Sequence, residues 1–368
     1  AGLALLADGE PTNRITLSAA PGHEGTVIID GQGTRVPILI RGDYVTVKNL
    51  EIRACFHICI YSPSNGNDST IGADPTRFTL EPALVNLYVH HVDDDTPLPA
   101  TISNVALIRL DWAKDPLLRN NELHTVTIRG VLTSSQTAAY ECYACWGGMF
   151  ENTEVYDTGS AFLFKTHVFD TQGATVRYNL VHTVGSGINV ITGGRPQPTT
   201  GQRFTNNIFY DISGAGITYN MNNNVDDLSQ GLILNNNLFY GPDDKGISIA
   251  GWVEVEEITG NIFIGLSRPI SNTWYGPAFL LASDYNVFAP TMSTVLKTYG
   301  GETVDYATFE QNSVITTADL LFTDAANHDF SHLAGSPALN LLGTEHAGPY
   351  ATGVETIGLL PGRFPAVR

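Results

Sequence analysis

The stretch that decides the fold runs VRYNLVHTVGSGINVITGG (176–194), FTNNIFYDISGAGITYN (204–220) and LNNNLFYGPDDKGISIAG (234–251). Each piece holds an asparagine, an apolar pair, an aromatic or β-branched residue, a turn and a second short apolar strand. Outward from here the pattern repeats: Asn152 in FENTEVYD, Asn179, Asn207, Asn237, Asn261 in TGNIFIG and Asn286 in SDYNVFA, at steps of 27, 28, 30, 24 and 25 residues. Asn49 in VKNLEI and Asn86 in VNLYVHHV fit the same slot upstream, with Gly130 in TIRGVLT taking it between Asn86 and Asn152. The strands are too short for helices and rich in Val, Ile, Phe and Tyr. A period near 25 residues built of strand–turn–strand units is that of a parallel β-helix, in which each repeat stacks on its neighbours. The Asn column belongs in the turns, where the amide bonds the backbone of adjacent coils and tolerates a left-handed conformation.

The chain is accordingly read as all-β, a single-domain right-handed parallel β-helix of about nine to ten coils over residues 1–368. Its length alone would suggest two domains, but no boundary interrupts the repeat. Loop excursions at 62–81 and 93–99, and a smaller one at 193–201, are expected to wall a binding site. An irregular Gly- and Pro-rich wrap over 341–368 closes the last coil. The chain carries 19 Lys+Arg against 37 Asp+Glu, a formal net charge of −18, with 43% hydrophobic residues. That apolar share excludes a disordered chain. The acidity argues against a nucleic-acid partner, which needs a basic surface, and no apolar run reaches the length of a membrane span.

Two segments carry a family resemblance. NRITLSAAPGHEGTVIIDG (13–31) resembles the first coil, and ADLLFTDAANHDFSHLAGSPALN (318–340) the closing segment, of the right-handed parallel β-helix proteins found among secreted carbohydrate-active enzymes such as pectate and alginate lyases. The resemblance spans nearly the whole chain. It implies a secreted or periplasmic protein whose signal has been removed, a polysaccharide or oligosaccharide substrate, and either a monomer or a homo-oligomer. FKTHVFDTQGATVRYN (164–179) resembles the Lys-containing coil of the alginate-lyase-like members, with Lys165, Arg177, Tyr178 and Asn179 matching. Ile191 stands where those enzymes place an Arg on the next coil, so Arg195 or Arg109 would have to substitute.

The four cysteines, Cys55, Cys59, Cys142 and Cys145, leave free thiols, disulfides and a zinc site open. Cys142 and Cys145 fall in an apparent strand, where three residues span about 10 Å, too far for a disulfide between them. The acidic runs HHVDDD (His90 to Asp95), Asp226/Asp227 and Asp243/Asp244 read as solvated loop tips. Asp93, Asp94 and Asp95 are also calcium candidates, because hard oxygen ligands cluster in loops.

Strand alternation then predicts the chemistry-bearing face. Ile58/Ile60, Ile108/Leu110, Cys142/Ala144, Phe162/Phe164, Ile188/Val190, Ile217/Tyr219 and Ile247/Ile249 are expected to point inward. One outward column then reads Cys59, Arg109, Glu141, Leu163, Asn189, Thr218, Ser248. The next reads Tyr61, Asp111, Tyr143, Lys165, Ile191, Asn220, Ala250, and a third contains Cys145, His167, Asn222 and Trp252. The catalytic candidates are Lys165, Tyr143, His167, Arg109, Glu141 and Asp111. Asn189, Arg195, Asn220, Asn222 and Trp252 are candidate sugar contacts. One chemistry is β-elimination on a uronate glycan, with Lys165 as base, Arg109 on the carboxylate and Tyr143 or His167 protonating the leaving oxygen. The alternatives are hydrolysis by Asp111 and Glu141, uronate epimerisation, or a non-catalytic carbohydrate-binding or adhesion module with Tyr143, Trp252 and Trp274 as its platform.

Overall fold

The computed structural model describes residues 2–63, 78–92, 104–126, 137–166, 171–192, 199–221, 229–241, 245–251, 253–272, 279–280, 282–289, 296–297, 312–316, 320–339, 347–350 and 357–358. Short strands pair in parallel from coil to coil and form three faces. The first face runs from Ile15–Ser18 through Val45–Lys48, Ala83–Val85, Leu117–Arg119 and Met149–Glu151 to Val253–Thr259. The second contains Glu51–Cys55, Tyr88–Val92, Glu122–Val126, Glu154–Tyr156 and Ile208–Ile212. The third contains Ile58–Ser62, Val105–Asp111, Thr137–Tyr143, Thr158–Thr166 and Ala215–Met221. Leu180–Thr192 bends through both the second and third faces.

The corners explain the composition. Asn49, Asn86, Asn120, Asn152, Asn206 and Asn236 all have φ between 50° and 60°, a region that an Asn side chain tolerates better than most. The residue that follows each of them points inward. Here Asn121, Asn179, Asn207, Asn237, Asn261 and Asn286 are fully buried. The Oδ1 of Asn237 accepts from the backbone N–H and the Nδ2 of Asn207, both at 3.0 Å, and Asn237 repeats the arrangement with Asn261. This corrects the single Asn column: Asn49, Asn86 and Asn152 form the left-handed corner, one residue before the buried ladder. The coil between Asn86 and Asn152 turns at Asn120/Asn121, not at Gly130, which lies outside the described residues. The buried slot at that step is filled by Leu50, Leu87 and Thr153 where it is not Asn.

Inside, like stacks on like. Phe209, Phe239, Phe263 and Phe288 have successive ring centroids 5.1 Å apart, close to the roughly 4.8 Å strand spacing. On the outside of the second face the sequence changes character along the stack. The register runs Glu51, Tyr88, Glu122, Glu154 and then Leu180, Ile208, Leu238, Ile262, Val287. The apolar half is covered by the C-terminal segment, whose Leu320, Phe330, Ala338 and Ala347 form a second core with it. That segment does not simply close the last coil. Gly348 donates to Gly260, Asn206 donates to Pro349, and Gly358 donates to Tyr178, so its described parts run back past earlier coils.

The expected excursion at 62–81 is shorter at both ends. Ser62 ends a strand, and Thr79–Leu80 pairs with Ala113–Lys114. Residues 93–99, 193–198 and most of 341–368 lie outside the described residues.

Both cysteine pairs are disulfides, Cys55–Cys59 and Cys142–Cys145. The extended-strand reading fails because the strand ends at Tyr143 and Ala144 turns the chain at φ 56°. That brings the Cys142 and Cys145 Cα atoms to 5.8 Å, within disulfide range. Ala54, at φ 49°, makes the corner before Cys55, and the Cys55 and Cys59 Cα atoms are 5.1 Å apart.

Candidate functional site on the third face

From Val105–Asp111 onward the third face has the register that alternation gives. Arg109 pairs with Glu141, Glu141 with Leu163, Leu163 with Asn189, Asn189 with Thr218 and Thr218 with Ser248. Asp111 pairs with Tyr143, then Lys165, Ile191, Asn220 and Ala250 follow. One coil earlier the expectation is off by two residues: Tyr61, not Cys59, lies opposite Arg109, and Ile60 opposite Ile108. The inward pair of the next coil is Tyr140/Cys142 rather than Cys142/Ala144, since Tyr140 pairs with Ile108 and Phe162. In both places the alternation itself holds, and what differs is which residues stand opposite one another from coil to coil.

The strands bring four charged side chains together in a nearly dry place. The side chains of Glu141, Asp111, Lys165 and Arg109 are 0, 8, 10 and 17% exposed. Lys165 Nζ lies 2.8 Å from Glu141 Oε1 and also donates to Asn104 Oδ1. The Lys165–Glu141 contact is an ion pair without aligned hydrogen-bond geometry. Arg109 gives two bonds to Asp111, Nε to Oδ1 at 2.8 Å and Nη2 to Oδ2 at 3.1 Å. Tyr61 donates to the same Asp111 Oδ2 at 2.9 Å. The Arg109 guanidinium lies 5.7 Å from the Tyr61 ring centroid and 5.8 Å from that of Tyr143, so it is held between two aromatic rings. Burial works against its charge, but Asp111 and Glu141 outweigh that and raise its pKa above the usual guanidinium value. His57 sits near this cation. Burial, and then the Arg109 charge, lower its pKa below the usual imidazole value, and its Nδ1 is buried without a partner among the described residues.

Arg109, Asp111, Glu141, Tyr143 and Lys165 are therefore one cluster on adjacent coils. Asn189 and Asn220 follow on the next two coils of the same face. His167, Arg195, Asn222, Trp252, Trp274, Asp93, Asp94 and Asp95 lie outside the described residues, as do Asp226/Asp227 and Asp243/Asp244. Tyr61, His57 and Asn104 join the cluster unannounced. Tyr61 was legible as a strand residue but sat in the wrong register, and Asn104 has no local signal. Arg177 belongs elsewhere: on the first face it bonds Glu151 Oε2 and lies across Glu151 from Arg119. Among the described residues no group of three or more His, Cys, Asp or Glu is arranged to hold a metal ion.

The second face carries another organised row, His90, His124, Tyr156, His182 and Tyr210. Its successive rings are stacked at 5.1, 4.5, 5.1 and 4.7 Å with interplanar angles of 4 to 7°. Glu51, Glu122 and Glu154 flank it: Glu51 contacts His90, Tyr156 donates to Glu122, and Glu154 contacts His182. The ring faces are spent on one another, so this row is a packing device in which the edges, not the faces, meet solvent.

Residues 100–263 match a family model described as a right handed beta helix region. The fold is a right-handed parallel β-helix. A solved structure described as a mannuronic acid specific polysaccharide family 6 lyase from human gut microbiota is similar to this β-helix at 11% identity. That likeness covers 87% of this chain and 77% of the other, with a TM-score of 0.44, too distant to carry any residue role across. No curated protein matches the chain. Among the described residues no helix is long and apolar enough to cross a membrane.

Proposed function

We propose that this β-helix is a carbohydrate-active enzyme, a secreted polysaccharide lyase that cleaves a uronate-containing glycan by β-elimination on the third face. The supporting observation is that two half-buried cations, Arg109 and Lys165, flank Glu141, with the Tyr143 ring beside Arg109. In this chemistry a base removes the C5 proton next to the sugar carboxylate, the C4–O bond breaks, a C4–C5 double bond forms, and the departing oxygen takes a proton. Arg109 neutralises the carboxylate so that the enolate-like intermediate can form. Lys165, placed 2.8 Å from Glu141 Oε1, is the base that takes the C5 proton. Tyr143 protonates the leaving oxygen. Asp111 and Tyr61 hold the guanidinium in place.

Hydrolysis fits less well, because both of its carboxylates are already engaged, Asp111 by Arg109 and Glu141 by Lys165. The test is an ultraviolet assay for unsaturated uronate ends on a panel of alginates, pectates and glycosaminoglycans. New reducing ends without that absorbance would overturn the lyase reading in favour of hydrolysis. Lys165→Arg keeps the charge paired with Glu141 but cannot supply a free amine. It should lower kcat by about 10³-fold or more, within the range general-base removal produces, with an unchanged Tm. Full activity in that variant would remove Lys165 from the mechanism.

A further inference from the structure

We infer that Asn104 is a positioning residue for Lys165, its neutral side-chain oxygen setting the direction of the amine from two coils away. This deepens the lyase reading and rests on it for the role of base given to Lys165. Lys165 belongs to Thr158–Thr166. Asn104 immediately precedes Val105–Asp111, and Thr137–Tyr143 lies between the two strands. Lys165 Nζ stands 2.8 Å from Glu141 Oε1, yet neither Glu141 oxygen has an aligned hydrogen bond. Among the described residues the aligned bond from that amine goes to Asn104 Oδ1. An ion pair fixes a distance and leaves the N–H directions free, whereas a hydrogen bond weakens steeply as it bends. The orientation of the Lys165 amine is therefore set by Asn104, and its proximity to the cluster by Glu141.

The backbone at Asn104 is a second, independent observation. Its φ is 97°, whereas the other described non-glycine residues with positive φ lie between 44° and 62°. Those cluster near the left-handed helical region, which an Asn side chain tolerates. Asn104 lies well outside it, in a conformation that suits glycine. Strained backbone persists only where its surroundings hold it, and it gathers at functional sites. Glycine would relieve the strain at this corner but would bring no oxygen to Lys165. The amide also differs from a carboxylate in a way that matters to a base. Glu141 already places one negative charge beside the amine. A second would hold the ammonium against losing its proton, while an amide oxygen accepts the bond without a charge. Arg109, Asp111 and Tyr143 are the other ionisable groups of the cluster, and their contacts with one another leave Asn104 to Lys165.

The experiment uses two variants of the whole chain. Asn104→Gly removes the oxygen and frees the backbone. It should lower kcat by about 10²-fold, the scale of a misplaced reacting group, with KM little changed and Tm unchanged or raised. An unchanged kcat with a raised Tm means that Asn104 serves the corner alone and overturns the inference. Asn104→Asp keeps an oxygen in place and adds a charge. The rise of kcat with pH should then move upward by about one pH unit or more, with the rate recovered on the alkaline plateau; a profile that does not move also overturns it. A readout that needs no substrate is the Cε resonance of Lys165 in protein isotopically labelled at lysine, identified by its absence in Lys165→Arg. That resonance should titrate at higher pH in Asn104→Asp and change its shift in Asn104→Gly. Indifference to both substitutions overturns the inference whether or not a glycan is cleaved. If the resonance responds but Lys165→Arg keeps full turnover, or no glycan is cleaved, the lyase reading falls while Asn104 still positions Lys165.

Discussion

Asn237 shows how much one side chain does in this molecule. Its oxygen accepts from the backbone and side chain of Asn207, while its amide donates to Phe204 O at 2.8 Å and to Asn261. Asn237→Ala leaves several of those groups buried and unpaired. Each costs about 1–3 kcal/mol, so the variant should lose about 3 kcal/mol or more, read as a lower denaturant midpoint at unchanged slope. At Lys165 the choice of substitution decides what is measured. Truncation to Ala abandons the fully buried Glu141 carboxylate, a loss of about 3–5 kcal/mol on the precedent of broken buried pairs. Lys165→Ala is therefore expected to lower Tm by several degrees as well as activity, whereas Lys165→Arg should lower activity alone. Thermal scans of the two variants side by side check this.

Among the elements, the corners and the C-terminal segment depart most from a simple alternating strand. Ala54 and Ala144 turn the chain and let each cysteine pair close on itself. Alkylation of the unfolded, unreduced protein should label no thiol, and labelling after reduction should find four, counted by mass. The C-terminal segment behaves as a lid on the second face. Phe330 is 1% exposed and packs against Tyr210, Tyr240 and Phe322. Phe330→Ala is expected to cost about 3–5 kcal/mol, the usual range for an aromatic truncated in a core, measured by chemical denaturation. The switch from Glu122 and Glu154 to Leu180, Ile208, Leu238 and Ile262 in one outward column is the sequence trace of that cover. It is unreadable without knowing that these residues share a column.

Across the whole molecule, acidification should act through histidine. Burial, then the neighbouring His91, lower the pKa of His90, with Glu51 opposing and Arg53 adding to the shift; Tyr88 and His124 pack against the same ring. His57 is lowered for a related reason. A lowered histidine pKa means that the folded state prefers the neutral ring. Stability is then complete above the unfolded value near 6.5 and is lost as pH falls below it, where the unfolded chain takes up protons first. Calorimetry should find Tm lower at about pH 5 than at about pH 7, and His90→Gln should flatten part of that slope. The sequence alone determined the parallel β-helix, its repeat of about one coil, and the columns from Arg109 to Ala250, because stacking like on like and a two-residue side-chain period are local rules written into the order of residues. Only the tertiary structure decided which corners turn left-handed at Ala54 and Ala144, and hence the disulfides, and it alone set Tyr61 opposite Arg109. It alone sorted the asparagines into a corner and a ladder, carried Arg177 away from Lys165, and coupled Lys165 to Glu141 in burial. Those outcomes depend on backbone torsions and on contacts between residues tens of positions apart, for which no local pattern in the chain is a guide.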